Sequence, residues 1–439
     1  AFSIDDSQTT EIDDALSLQG LGSGTVTLGI HIAAPGLAIQ PQDAIDQVAR
    51  HRLSTVYMPG HKITMLPDAV VQAYTLEAGR DCPAVSLYVS FDEVTLEQKD
   101  SRTELERVPI AHNLRHDQLD SVITEAWLTG DAPVDAASDE IAALQPQLAF
   151  IFRLAKHLKA QREVVRGKPE TFNRPDYNFK LDGVAGREPD GSETVVIGTR
   201  SRGAPLDLMV AEAMILANSS WGQWLGACGV PGIYRSQASL APGVKVRMGT
   251  KVAPHAGIGV KAYAWSTSPL RRYVDLVNQW QIIACARHGN TAALVAPFKP
   301  KDANLMAVIS AFDAAYTAYN GFQNGMERFW TLRHLQQAGI TELTATLIKD
   351  NLVRADTLPL VLPVLGAEGL PRGAHVRVRL GTIDEIALDV SGTVIERLDG
   401  VAEDLGEASE DDGEDLATPL ALAIDVNEAP EASDAPAGT

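Results

Sequence analysis

Five carboxylates crowd into ten residues near the start of the chain: Asp5, Asp6, Glu11, Asp13 and Asp14. Two unit charges about 4 Å apart repel by about 4 kcal/mol at an effective dielectric near 20. If several of these groups converge, a divalent cation is the simplest compensation. An all-oxygen donor set, with no cysteine or paired histidine nearby, suits Mg²⁺ or Mn²⁺. The frame is not an EF-hand loop, because no glycine stands at the sixth position. The same residue types also suit an acidic surface loop whose aspartates cap helices. From the residues alone both readings stand.

Other polar groups are less concentrated. The ten histidines show no metal-ligand spacing, and His31, inside a β-rich run, reads as structural. Cys82, Cys228 and Cys285 lie far apart with no C-x-x-C pair. That excludes a disulfide scaffold and a Cys-rich zinc site, and fits a reducing, cytoplasmic setting. No apolar run is long enough for a membrane helix, and no signal peptide opens the chain, so no membrane partner is expected. The first residue is Ala1 rather than Met, so further protein is expected upstream.

The 439 residues carry a net charge of −20, which at first argues against a nucleic-acid partner. The distribution is uneven. From Asp399 onward there are 13 acidic residues and no Lys or Arg, while residues 1–150 hold 23 acidic against 8 basic. Residues 151–290 hold 19 basic against 10 acidic, a positive stretch inside an acidic chain. Arg outnumbers Lys 25 to 12. Arginine suits bidentate phosphate contact, although a GC-rich coding sequence gives the same bias.

The elements that must position these groups form a mixed pattern. Residues 25–32 and 84–89 are β-rich, whereas 148–166, 208–224, 271–288 and 305–337 carry helical periodicity, the last loosened near Asn320-Gly321. Short strands are expected at 344–348, 359–362, 375–380 and 386–390, a spacing that suits a small barrel. Arg377 and Arg379 alternate with Val376 and Val378, so they share the solvent face of one strand. Residues 401–439 are rich in Ala, Glu, Asp and Pro, a composition expected to be disordered. The fold class is therefore α/β (α+β), followed by a β-barrel.

The acidic opening also resembles the catalytic signature of the RNase II/RNase R (RNB) exoribonucleases. Here an early Asp5 precedes Glu11-Ile12-Asp13-Asp14-Ala15. Tyr57-Met58-Pro59-Gly60, Arg174-Pro175-Asp176-Tyr177 and Glu212-Ala213-Met214-Ile215-Leu216-Ala217-Asn218 are similar to later family blocks, in the family's order. Thr267-Ser268-Pro269-Leu270-Arg271-Arg272-Tyr273-Val274-Asp275 resembles its longest and most specific block.

The resemblance implies an RNB-type catalytic domain over residues 1–338. It further implies an OB-fold RNA-binding domain over 339–400 and leaves an acidic tail over 401–439. It implies a monomeric, processive 3′→5′ exoribonuclease that hydrolyses single-stranded RNA to nucleoside 5′-monophosphates with two Mg²⁺ ions, Mn²⁺ being an alternative. Asp5, Glu11, Asp13 and Asp14 would be the metal ligands, with Asp13 also positioning water and Arg271 stabilising the scissile phosphate. Tyr57, Phe172, Tyr263, Arg272, Glu327, Arg377 and Arg379 would contact RNA. The chain departs from the pattern at Glu11, where the family has Asp, at Ala34 and at Gln279-Trp280. Those departures keep open a weakly catalytic RNA-binding protein, and a phosphodiesterase acting on another substrate.

Overall fold

In the computed structural model, the described residues are 1–131, 138–170, 176–183, 188–200, 203–241 and 243–398. Phe172, Arg174, Pro175 and the acidic tail lie outside them. The chain begins with β1 (Phe2–Asp5), β2 (Asp14–Gln19), β3 (Thr25–Ala33), α1 (Ala44–Arg52), β4 (Val56–Met58), β5 (His61–Ile63) and α2 (Asp68–Tyr74). Next come β6 (Arg80–Asp92), β7 (Gln98–Ile110), β8 (His112–Arg115), α3 (His116–Leu119), α4 (Glu125–Thr129) and α5 (Asp139–Arg166). Then follow β9 (Asp176–Asp182), β10 (Thr194–Arg200), α6 (Pro205–Ala227), β11 (Tyr234–Ser236), β12 (Arg247–Gly249), α7 (Tyr273–His288), α8 (Ala292–Val295) and α9 (Ala303–Gln337). Last are β13 (Glu342–Lys349), β14 (Leu352–Ala355), β15 (Val361–Leu365), β16 (His375–Leu380) and β17 (Gly392–Arg397).

These elements gather into two compact units. One holds Ala1–Thr55, Thr64–Phe172 and Gly203–Tyr316; the other holds Val56–Ile63, Asn173–Arg202 and Thr317–Thr439. The first is built on a six-stranded sheet in the order β7-β6-β3-β2-β1-β8. Alternation along β3 sends Leu28, Ile30 and Ile32 to the face packed by α5, α6 and α7, where the main apolar cluster forms. The pairing of β1 with β8 is parallel and sets Asp5 opposite Arg115 across about a hundred residues of chain.

The second unit contains a closed barrel in the order β13-β14-β15-β17-β16, with β15 and β17 parallel. Its interior is Leu, Val and Ala. The expected mixed fold followed by a barrel is thus what forms. Details differ. Residues 386–390 are not a strand, because Asp384 Oδ1 accepts from both Ile386 and Ala387 N–H and folds the segment into a turn. The barrel is completed instead by β14 and β17, whose four- and six-residue runs carry little periodicity. Helix α9 passes through Asn320-Gly321 unbroken. Helix α5 begins nine residues earlier than its apolar stripe, where Ser138 caps it by accepting from Ile141 N–H. The helix of the arginine block starts at Tyr273, with Arg272 at its N-cap in extended conformation.

Candidate active site

The carboxylates sit where two strands of the first unit end and begin. Asp5 closes β1 and Asp14 opens β2, and the loop between them carries Asp6, Glu11 and Asp13. That loop is tied down from three directions. Thr75 Oγ1 accepts from Ile12 N–H at 2.8 Å and donates to Thr10 O at 2.9 Å. Asp117 accepts from Ser7 twice, from the amide at 2.9 Å and the hydroxyl at 2.6 Å. Arg115 donates to Asp6 O at 2.8 Å.

Glu11, Asp13 and Asp14 are buried, at 3%, 3% and 9% exposure. Thr55 Oγ1 donates to Glu11 Oε1 at 2.9 Å and accepts from Met65 N–H at 3.0 Å. The extra methylene of Glu11 relative to Asp is what carries its carboxylate to that hydroxyl. Asp13 Oδ1 accepts from Leu270 N–H at 2.8 Å, and Arg271 Nε lies 3.3 Å from Asp13 Oδ2. Arg271 is held in turn by Ser268, whose Oγ accepts at 2.8 Å, and by its own carbonyl, which accepts from Thr55 N–H at 2.9 Å.

Burial pushes the Asp13 carboxyl up to about 7, against the pull of Arg271 and the Leu270 amide. Asp5 is pushed up to about 6 by burial, opposed by the Ser3 hydroxyl, Arg115 and Arg271. Asp14 is raised well above the carboxylate range by burial and by its neighbours Asp5 and Asp13. Asp5 Oδ2 is buried with no hydrogen-bond partner. Buried acids that resist ionising, with an oxygen left orphaned, fit a site completed by a hard divalent cation.

The remaining expected residues scatter. Arg272 is buried, with Nε and a terminal nitrogen on the two oxygens of Asp275 at 2.8 and 2.9 Å. Its guanidinium and that of Arg235 lie over the Trp265 ring, 4.1 and 4.2 Å from the centroid. Tyr263 is also buried, its ring edge against His255 and its hydroxyl near Asn218. Neither side chain is at the surface. In the second unit, Tyr57 is half-buried on β4, and Glu327 on α9 is raised to about 7 by burial. Arg377 and Arg379 are exposed on the barrel and pair across strands with Glu396 and Glu342 at 3.2 and 3.1 Å.

Sequence reasoning missed one group. Among the described residues, the set of three ligand-type atoms within 4.8 Å of one another is Asp6, His116 and Asp117, beside the expected quartet rather than within it. A His-Asp pair just after a strand was the available signal, but its relevance depends on the parallel β1–β8 pairing. Thr55, which anchors Glu11, carried no signal.

Comparison with known proteins identifies the family. The model of the RNB domain family matches residues 1–244 and 242–288. An uncharacterized ribonuclease of Synechocystis sp. is 28% identical over 309 residues, covering 65% of this chain and 42% of the relative. Exoribonuclease 2 of Edwardsiella piscicida is 27% identical over 330 residues, covering 63% and 48%. The chain thus spans less than half the length of these relatives. The apo form of Mycoplasma genitalium RNase R superposes with a TM-score of 0.72 at 16% identity, covering 90% of this chain and 70% of that one.

Proposed function

Because the chain belongs to the RNB domain family, we propose that it is a metal-dependent exoribonuclease. On this reading it degrades single-stranded RNA processively from the 3′ end to nucleoside 5′-monophosphates, as a cytoplasmic monomer. The observation that carries the reading is the trio Asp5, Asp13 and Asp14, whose carboxyls are all raised, with Arg271 at 3.3 Å from Asp13. Among the described residues no helix is long and apolar enough to cross a membrane.

Asp5, Glu11, Asp13 and Asp14 would hold Mg²⁺, or Mn²⁺ in the same oxygen donors. When bound, two such cations supply an activated water and neutralise the charge that builds on the phosphoryl oxygens. The chain does the rest. Leu270 N–H fixes one oxygen of Asp13, so the other is aimed beside Arg271. Arg271, braced by Ser268, presents fixed positive charge to the scissile phosphate. A comparable preorganised donor lowers a barrier by about 2.7–4 kcal/mol. Arg272 and Tyr263 are buried, and Arg272 anchors the start of the helix that follows Arg271. Tyr57, Phe172, Glu327, Arg377 and Arg379 are the proposed RNA contacts. Residues 1–338 would form the catalytic domain and 339–400 an OB-type RNA-binding domain.

The test is incubation with 3′-labelled and 5′-labelled single-stranded RNA, with Mg²⁺ or EDTA. Mg²⁺-dependent release of mononucleotides, the 3′ label first, is expected. RNA retained uncut in Mg²⁺ and in Mn²⁺ would overturn the reading in favour of an RNA-binding protein on the same fold. DNA cut as fast as RNA would favour a different phosphodiesterase.

A further inference from the structure

The chain leaving α1 turns through a strained residue before it meets the carboxylate loop. Leu53, buried, has φ +63° and ψ −39°, and Ser54 N–H donates to Arg52 O at 2.7 Å across it. That is a γ-turn of the positive-φ kind, which is rare and strained for a residue with a large side chain. Such strain persists only where surrounding contacts over-determine the backbone. Here they do. Leu53 O accepts from Tyr273 N–H at 2.8 Å, Arg271 O accepts from Thr55 N–H at 2.9 Å, and Ser54 pairs antiparallel with Arg272 between them. Residues 53–55 thus form a strap along the backbone of the arginine block.

The side chain at the end of the strap meets the carboxylate loop. Met65 N–H can only donate, and it donates to Thr55 Oγ1 at 3.0 Å. The proton of the Thr55 hydroxyl is therefore left for Glu11 Oε1, 2.9 Å away. Thr55 and Glu11 are both buried, so water does not compete for this bond. A glutamate arm has one more rotatable bond than an aspartate arm. A ligand on such an arm binds more tightly when something holds it in place beforehand. Mg²⁺ in particular demands near-ideal ligand geometry.

We propose that Thr55 is a positioning residue for metal binding: its hydroxyl holds the Glu11 carboxylate ready as a ligand, and its amide fixes that ligand relative to the backbone of Arg271. One residue then ties the metal-binding loop to the arginine that faces the phosphate. A hydrogen-bonded partner of a ligating carboxylate typically carries about 10- to 100-fold in metal affinity. This inference rests on the reading of the chain as a metal-dependent nuclease, and it adds Thr55 to the residues on which that activity depends.

The experiment titrates the full chain with Mn²⁺ in the absence of RNA, following the electron paramagnetic resonance signal of the free ion. In parallel it measures the Mg²⁺ concentration that gives half-maximal mononucleotide release. Wild type is compared with Thr55→Val, Thr55→Ala, Thr55→Ser, Glu11→Asp and the double variant Glu11→Asp with Thr55→Val. Each is first shown, by its melting temperature in EDTA, to be folded at the assay temperature. Both hydroxyl-free variants are expected to bind Mn²⁺ about 10- to 100-fold more weakly and to need that much more Mg²⁺, with Thr55→Ser within about twofold of wild type. The shorter arm of Glu11→Asp does not reach Thr55, so in that background Thr55→Val is expected to change neither value by more than about twofold. Wild-type Mn²⁺ affinity in both hydroxyl-free variants would overturn the positioning role while leaving the nuclease reading in place. So would an equal loss in both backgrounds, which marks a threonine that only supports the fold. Wild-type protein that binds no Mn²⁺ and releases no mononucleotide would overturn both.

Discussion

Asp13 is constrained on both oxygens, by the Leu270 amide and by Arg271, and burial raises its carboxyl to about 7. Asparagine keeps the shape and the acceptor toward Leu270 but removes the charge. Asp13→Asn should therefore abolish mononucleotide release while RNA affinity stays within about twofold of wild type; full turnover in that variant would remove Asp13 from the mechanism. The same carboxylates make stability depend on metal and pH together. A carboxyl whose pKa is raised on folding favours the folded state at pH below its ordinary value near 4. That contribution is lost as pH rises through about 6 for Asp5 and about 7 for Asp13. A bound cation offsets the loss. Millimolar Mg²⁺ should raise the melting temperature more at pH 8 than at pH 5, and EDTA should reverse it; equal shifts at both pH values would contradict a cation on these residues.

Elements are locked to one another by buried polar groups rather than by apolar area alone. Arg162 on α5 donates through Nε to Glu212 Oε2 on α6 at 2.9 Å, to Glu170 at 3.2 Å and to Ile258 O at 2.6 Å. All three charged residues are less than 10% exposed. Removing one partner of a buried ion pair costs about 3–5 kcal/mol, because the remaining charge is stranded. Arg162→Met should lower the unfolding free energy in urea by that amount; a loss below about 1 kcal/mol would mean the helices are held by other contacts. A second lock lies in the sheet. His31 on β3 bonds Ser17 of β2 and Ser86 of β6, each at 2.8 Å, and Gly29 leaves the space, since a Cβ there would meet Ser17 Oγ at 2.4 Å. Burial holds His31 down to about 4 against an ordinary 6.5. A base held low in the folded state leaves stability intact above pH 6.5 and erodes it as pH falls toward 4. The full loss is about 3 kcal/mol. Comparing wild type with His31→Gln isolates this, since the carboxylates titrate alike in both. Wild type should lose more stability than the variant between pH 7 and pH 4.

At the scale of the molecule the net charge of −20 hides opposed regions. Thirteen of those charges lie after residue 398, and residues 151–290 are net positive. RNA affinity at low salt is governed by local phosphate contacts and counterion release rather than by the total. A chain ending at residue 398 is therefore expected to bind single-stranded RNA with unchanged affinity at low salt. A clear gain in affinity would show instead that the acidic tail competes for the RNA site. The barrel arginines belong to the same balance. Arg377 and Arg379 face solvent but are paired with Glu396 and Glu342. Exposed pairs of this kind are worth about 0–1 kcal/mol, little to give up for a phosphate.

The sequence alone was enough to place the acidic cluster, the arginine block and the barrel, because each is written in contiguous residues: carboxylates within ten positions, an uninterrupted nine-residue block, strands at regular spacing. It was also enough to assign His31 to structure. What it could not supply was anything set by pairing between distant segments. The parallel alignment of β1 with β8 brings Arg115, His116 and Asp117 to the carboxylate loop. Thr55 meets Glu11 while its amide is held by Arg271 O, over two hundred residues away. Arg271 and Arg272 are identical neighbours in sequence, yet one lies beside Asp13 and the other is sealed against Asp275 and Trp265. Residue type states which chemistry a side chain can do. Burial and long-range pairing, which set its charge state and its partners, arise only when the chain has closed on itself.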